Sequence, residues 1–387
     1  MEACLPERVL PPHLPEPPRG RTILLALGKA AVPMARAVEE RWRGELFGLA
    51  VAPRGSASAL ERIETLEAAH PIPDSSSVAA AGRLLALAAD AGPGDLVLVL
   101  LSGGASSLAC LPGEGLALAA KQRLTAALLR SGATVGETNC VRRHLSRFKG
   151  GRLALAAAPA RLVTLAVSDV AGDRPEDIGS GPTAADPTTI ADARAILARY
   201  GLDAPALGWS ETARQVPGDY RVVARGADAL AAASARAREL GYAPRPIECE
   251  GEARDVGREH CALALAAPPG TALISGGELT VTVRGPGRGG PNQEYALAAG
   301  LALAGRAGIC GLAADTDGID GSGAAAGAFF DGGTGDGEAA LAANDSESFF
   351  AAVGGLFVTG PTGTNVSDLR VILTAFQGAA FSPNPPR

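Results

Sequence analysis

From residue 22 onward apolar runs and helical periods alternate along the chain, the pattern of repeated strand–helix–strand units. Thr22–Leu27, apolar after its threonine, and Leu96–Leu101, six apolar residues, are what parallel strands covered on both faces look like. Leu46–Ala52 and Arg161–Val167 read as further strands of the same kind. Between them the spacing predicts helices over Ala30–Trp42, Val78–Ala89, Leu116–Arg130, Glu137–Arg147 and Asp192–Tyr200. Asp74 or a following serine is placed to cap the second of these. A second cycle follows: strand Tyr220–Ala224, helices Asp228–Leu240 and Val256–Ala266, strand Ala272–Ser275, helix Asn292–Leu303, and strands Cys310–Ala314 and Gly355–Thr359. Thr280–Arg284 alternates with period two and reads as an antiparallel strand. The proline-rich leader, 1–21, reads as coil, and 205–218 as a linker between domains at 22–204 and 219–387. The expected fold is therefore two α/β domains: an N-terminal Rossmann-like, doubly wound, mostly parallel sheet and a smaller C-terminal mixed sheet with helices.

Composition narrows the function. A net charge of −6 and a pI near 5.4 argue against a nucleic-acid partner. Six cysteines and four histidines are scattered without metal-ligand spacing, and no run is long enough to span a membrane. A soluble cytoplasmic protein without a membrane partner is expected. Lysine is the sharper signal, because only three of the 35 basic residues are lysine: Lys29, Lys121 and Lys149. A compact ammonium survives such a bias where a guanidinium fork does not fit. Lys29 and Lys149 sit in turns, where ligands are held. Lys121 lies in an ordinary-looking amphipathic helix and reads as incidental.

Five glycine-, serine- and aspartate-rich turns follow predicted strands or open helices. They are Gly28–Ala31, Ser102–Ser107, Ser168–Asp173 with Gly179–Thr183, Ser275–Glu278 with Gly287–Gly290, and Asp315–Gly321 with Gly360–Asn365. No P-loop and no Gly-x-Gly-x-x-Gly fingerprint is present. An EF-hand is excluded because Ile319 stands at a ligand position. Carboxylates, a lysine, arginines and backbone N–H donors on strand ends together suit a phosphorylated ligand with Mg²⁺.

In these turns and the segments between them the chain resembles the glycerate 2-kinases that contain the MOFRL domain, formerly named hydroxypyruvate reductases. The resemblance runs through Gly28-Lys29-Ala30-Ala31, His70-Pro71-Ile72-Pro73-Asp74, Leu101–Ser106, Glu137–Ser146 and Phe148–Leu153. It continues through Ser168–Asp173, Gly179–Thr183, Ser275–Glu278, Asn292-Gln293-Glu294, Asp317–Gly321, Asn344-Asp345-Ser346 and Thr359–Asn365. It implies ATP- and Mg²⁺-dependent phosphorylation of D-glycerate to 2-phosphoglycerate, in a cleft between the two domains. Lys29 is then the ammonium that meets the transferring phosphoryl group or the glycerate carboxylate. Glu278, Asp317 and Asn365 line the site from the C-terminal domain, with Asp317 alternatively a metal ligand or base. Ser102, Gly103, Gly104, Ser106, Asn139, Arg142, Lys149, Gly277 and Asn292 are the remaining expected binding residues, and Asp169 and Asp173 the metal-handling pair. Where the family usually carries a catalytic arginine this chain has Pro291, and Arg288 is the candidate replacement. The helix that usually precedes Gly-Lys-Ala is absent, which predicts a less covered first sheet, and Arg54-Gly55-Ser56 lacks the histidine familiar at that turn. His70 reads as a turn residue. A homodimer is the candidate assembly. The alternatives are an NAD(P)H-dependent hydroxypyruvate reductase and a catalytically impaired nucleotide- or glycerate-binding homologue.

Overall fold

The computed structural model describes residues 1–56 and 58–377 and divides into two compact units, Cys4–Ala224 and the chain from Arg225 on. The first unit is built on six strands: β1 (Thr22–Leu27), β2 (Leu46–Pro53), β3 (Ile63–Ala68), β4 (Leu96–Leu101), β5 (Arg161–Val167) and β6 (Asp219–Ala224). All pair in parallel, in the order 3-2-1-4-5-6. The hexads β1 and β4 are the two central strands, buried at every residue. Their neighbours on both faces are helices, which is why no polar alternation is visible in them.

The helices of this unit are α1 (Pro6–Val9), α2 (Ala31–Glu39), α3 (Ser75–Ala89), α4 (Ala105–Leu108), α5 (Leu118–Arg130), α6 (Val135–His144), α7 (Arg152–Ala157) and α8 (Ile190–Arg199). Three of their starts are legible as capping boxes: Asp74 with Ser77, Thr134 with Glu137, and Thr189 with Asp192. The strand order reverses direction between β1 and β4. In open α/β sheets ligands bind at the carboxyl ends of the strands at such a switch point.

Two expectations fail here. The leader is not coil: α1 packs on α2, and Cys4 and Leu10 are fully buried, so this flank of the sheet keeps its cover. The boundary also moves. Residues 205–218 hydrogen-bond into the first unit (Ser210 N–H to His144 O at 3.0 Å, Ala213 N–H to Gly150 O at 3.1 Å), and β6 completes the first sheet. The division therefore falls after Ala224, not before residue 219.

The second unit carries β7 (Ala243–Pro246), β8 (Thr271–Gly276), β9 (Ile309–Asp315), β10 (Gly327–Asp331), β11 (Leu356–Phe357) and β12 (Asp368–Thr374), in the order 11-10-9-12-8-7. Only β7 and β8 are parallel; every other pairing is antiparallel. Its helices are α9 (Gly226–Glu239), α10 (Ala253–Ala266), α11 (Pro291–Leu303), α12 (Glu338–Ala342) and α13 (Ser346–Val353). Beyond a polar first turn (Asn292, Gln293, Glu294), helix α11 is apolar all round, and it is almost wholly buried, as a central helix must be. The expected strand at Thr280–Arg284 is a single bridge from Thr280 to Glu252. Thr280 and Thr282 bond to the Glu252 carboxylate instead, and Val283 is exposed. Among the described residues no helix is long and apolar enough to cross a membrane.

Candidate active site

In the first unit the turns after β1 and β4 are locked together. The N–H groups of Lys29 and Ala30 donate to Gly103 O (2.8 Å) and Ser102 Oγ (3.0 Å), and Ser102 N–H donates to Leu27 O (3.0 Å). Gly28, at φ +134°, makes this approach possible, because a Cβ there would lie 2.2 Å from Ser102 Oγ. The N–H groups of Gly28 and Ala31 are also taken, by Val51 O and Gly28 O. The β1 turn therefore offers a ligand its lysine side chain rather than its backbone. In the β4 turn, among the described residues, no oxygen accepts from the N–H groups of Gly103, Gly104, Ala105 or Ser106. The His70 ring lies against Gly104, and the Lys29 stem runs past the same glycine. A pocket of about 430 Å³ opens beside His70, walled by Pro53, Arg54, Ile72, Asp74 and Gln122.

Of the expected binding residues, Ser106 and Asn139 are joined through one the sequence did not single out for a role. Ser180 Oγ lies 2.9 Å from Ser106 Oγ and donates to Asn139 Oδ1 (2.9 Å). Asn139 Nδ2 then reaches Asp177 (3.3 Å). Beside it Arg143 bridges Asp177 (3.2 Å) and Asp186 (2.8 Å), all three buried. Arg143 is thereby committed to structure, which leaves Arg142 on the other side of the helix as the available guanidinium. It is half-buried, and burial pulls its pKa below the usual arginine value.

The lysines separate by environment. Lys149 is buried and its ammonium donates to Ser106 O (2.7 Å) and Ala109 O (3.0 Å), so it braces the far end of the β4 turn. Burial depresses its pKa to about 7. Lys121, which the sequence presents as incidental, is also buried and bonds Leu145 O (2.6 Å) and Arg142 O (3.2 Å) at the end of α6. Each ammonium fits where backbone carbonyls converge at a helix C-terminus, a hole the wider guanidinium would not fill. Lys29 alone of the three is half-exposed.

Asp169 follows β5 and Asp173 lies four residues on at φ 51°, both half-buried. Among the described residues no three His, Cys, Asp or Glu side chains gather closely enough to hold a metal by themselves. Mg²⁺ does not require such a cage, since it is commonly held by one or two carboxylates together with substrate phosphates and water.

In the second unit the expected residues collect where β8 and β9 end and β12 begins. Gly276 pairs with Leu369, and Asp315 with Asp368. Asp317 Oδ1 accepts from Ile319 N–H (2.8 Å) and Asn365 Oδ1 from Ser367 N–H (3.3 Å). Glu278 is exposed just past Gly277, whose carbonyl accepts from buried Arg370 (2.8 Å). Asn292 is wholly buried, and its Nδ2 donates to Asp368 (2.8 Å) and Asp320 (3.2 Å), so its amide positions the helix start. Asp320, from the turn after β9, accepts the N–H groups of Asn292 (3.0 Å) and Gln293 (2.8 Å) and thereby caps buried α11. Burial raises its pKa to about 6. Pro291 occupies the first position of α11, where no N–H is needed, after an extended Gly290 that suits a residue before proline. The departure is conformationally tolerated. Arg288 is two-thirds exposed and pairs with Glu347 (3.2 Å).

Comparison with known proteins gives the same direction. Residues 1–208 match a domain of unknown function designated DUF4147, and residues 271–368 match the MOFRL family. A D-glycerate 2-kinase of Thermotoga maritima is 39% identical, over 95% of this chain and 94% of its own. The crystal structure of a glycerate kinase from Thermotoga maritima superposes with a TM-score of 0.87 at 38% identity, covering 97% of this chain and 96% of that one. A protein of Agrobacterium vitis, provisionally named a hydroxypyruvate reductase, is 47% identical over 93% of this chain and 89% of its own. The chain belongs to the glycerate 2-kinase family, assembled from a DUF4147 domain and a MOFRL domain.

Proposed function

We propose that the protein transfers the terminal phosphoryl group of ATP to the 2-hydroxyl of D-glycerate. The observation that carries this reading is the switch point of the first sheet. There a half-exposed lysine stands beside a turn whose successive N–H groups find no acceptor among the described residues. Such a site stabilises developing negative charge on a phosphoryl or carboxylate oxygen without reorganising when the charge appears. Lys29 supplies the mobile positive charge, and Ser106 and Asn139 hold the turn through Ser180. Arg142 is the second cation of this unit. Asp169 and Asp173 would hold Mg²⁺, which when bound neutralises phosphate charge. The pocket beside His70 has the volume for a nucleoside. From the second unit Glu278, Asp317 and Asn365 serve the substrate, and Arg288 is the candidate for the charge that the family's arginine brings. Six cysteines, none in a disulfide among the described residues, suit a reducing cytoplasm.

The reductase reading has one observation in its favour, because 3-2-1-4-5-6 is the strand order of dinucleotide-binding sheets. Against it, the N–H groups at Gly28–Ala31, where a pyrophosphate would sit, are all taken by the protein. The strand that should end in an acid for the ribose ends in Pro53-Arg54. Parallel assays separate the two: ADP release from ATP, Mg²⁺ and D-glycerate is expected. Oxidation of NADH or NADPH by hydroxypyruvate without kinase turnover would reverse the assignment.

A further inference from the structure

Three cations of the first unit crowd together without an acid to balance them. Lys121 is 4% exposed and Lys149 1%, and Arg142 is half-buried. Both ammonium groups bond only backbone carbonyls. Among the described residues no carboxylate pairs with any of the three, and the Arg142 guanidinium has no acceptor. The groups that face Lys149 are Lys121 and Arg142, which oppose its charge, and the Cys110 thiol, which favours it. The same thiol and Arg142 face Lys121, together with Arg152. The Arg152 guanidinium is itself spent on the carbonyls of Lys149 (2.8 Å) and Arg143 (3.2 Å) and on the Ser210–Glu211 segment. Removing like charges from water without a partner is costly, and proteins relieve it by pairing them or by shedding protons.

We propose that the counter-ion of this cluster is the ligand: an oxyanion, carboxylate or phosphate, binds at the Arg142 guanidinium, and its binding draws a proton from solvent onto Lys149. The inference deepens the kinase reading and rests on it for the identity of the anion. Arg142 makes the contact. Lys149 is a positioning residue that acts through the carbonyls of Ser106 and Ala109 and through its charge. The chemistry balances simply: one N–H bond forms on Lys149 Nζ, and the proton comes from buffer. Without ligand Lys149 titrates near neutrality, so near pH 7 the amine is divided between its two forms. Two N–H donors remain in either form, so the turn keeps its shape while its field changes. By linkage, an anion that raises the affinity of Lys149 for a proton binds more tightly when that proton is present.

The scarcity of lysine makes the test direct. Protein labelled with ¹⁵N-lysine gives only three side-chain Nζ signals. They are titrated from pH 5.5 to 9.5 alone and with D-glycerate, with ADP, or with inorganic phosphate. The expected result is that one signal titrates near 7, disappears in Lys149→Met, and moves up by about one pH unit with the anion. Binding of that anion should then weaken by about sevenfold from pH 6 to pH 8.5. Arg142→Met should weaken binding by about tenfold or more at either pH, with the melting temperature little changed. A shift with D-glycerate or with phosphate and ADP identifies the source as carboxylate or phosphate. Saturable binding of all three ligands with no shift of any Nζ signal would overturn the proposal, as would an unchanged shift in Arg142→Met. The wild-type titration decides the matter even if a variant fails to fold. Kinase turnover without the Nζ shift would sink this inference alone. A phosphate-induced shift without turnover would keep it and sink the kinase reading.

Discussion

Replacing Gly104 by alanine puts a methyl group between the side chains of His70 and Lys29. Gly104 sits at φ +80°, and a Cβ there would lie 2.9 Å from Cδ2 and Nε2 of His70 and 3.3 Å from Cγ of Lys29. The left-handed conformation alone costs alanine about 1 kcal/mol. His70 is exposed, so its ring can turn aside, adding up to about 1 kcal/mol of rotamer strain. The sum, about 2 kcal/mol, lowers the melting temperature of a domain of this size by roughly 4–8 °C. The lysine stem has to move by a few tenths of an ångström. Misplacement of a group that acts on a transition state is expensive, and a loss of about tenfold or more in kcat is expected. Gly132→Ala is the control, because Gly132 is also left-handed (φ +76°) but a Cβ there meets nothing within 4 Å. It should share the strain and keep the activity. Calorimetry and a coupled ADP assay on both variants are sufficient. Wild-type kcat in Gly104→Ala, at the expected loss of melting temperature, would refute the claim that this turn aims Lys29.

Lys29→Met should lower kcat by about 10²-fold or more with little change in melting temperature, since it removes preorganised charge from the transition state; normal turnover would take Lys29 out of the mechanism. Pro291→Arg restores the charge usual in the family at a helix position that tolerates either residue, and a higher kcat at nearly unchanged stability is expected; no gain would make Pro291 irrelevant to the rate. Asp320→Asn should leave α11 partly uncapped, costing about 1–3 kcal/mol near pH 4.5. Because the folded carboxyl titrates near 6, above its unfolded value, its contribution is complete below about pH 4 and declines as pH rises through 6. Denaturant melts should therefore show a smaller gap between wild type and Asp320→Asn at pH 7.5 than at pH 4.5, and a gap that widens with pH would contradict the assigned burial.

The parallel core was readable because β1 and β4 are apolar at every position but Thr22, a signal that survives without alignment. Edge strands gave less. In β3, Ile63-Glu64-Thr65-Leu66-Glu67-Ala68 mixes charge with apolar residues, and β7 contains two prolines, which suit only an edge. The alternation of β12 is visible in the sequence, but its sense is inverted. Asp368, Arg370, Ile372 and Thr374 face inward, because Asp368 and Arg370 belong to a buried network with Asn292 and Gly277. The turns of the candidate site were found as compositions. The division of labour inside them was not: Ser102 ties backbone, Asn292 bridges two buried carboxylates, and Lys149 braces a turn from beneath. Partners far away in sequence decide that, as Asp320 does for Asn292, and composition alone does not pair them. The linker looked independent because proline and glycine punctuate it, while its hydrogen bonds to His144 and Gly150 are long-range.

Phosphorylation of D-glycerate at its 2-hydroxyl is decided by one assay. Purified protein is given ATP, Mg²⁺ and D-glycerate, ADP release is followed, and enolase is present to consume any 2-phosphoglycerate as it forms. ADP release accompanied by an enolase signal before any mutase is added is the predicted result. ADP release with no enolase signal until a mutase is supplied would place the phosphate on the other hydroxyl and contradict the account.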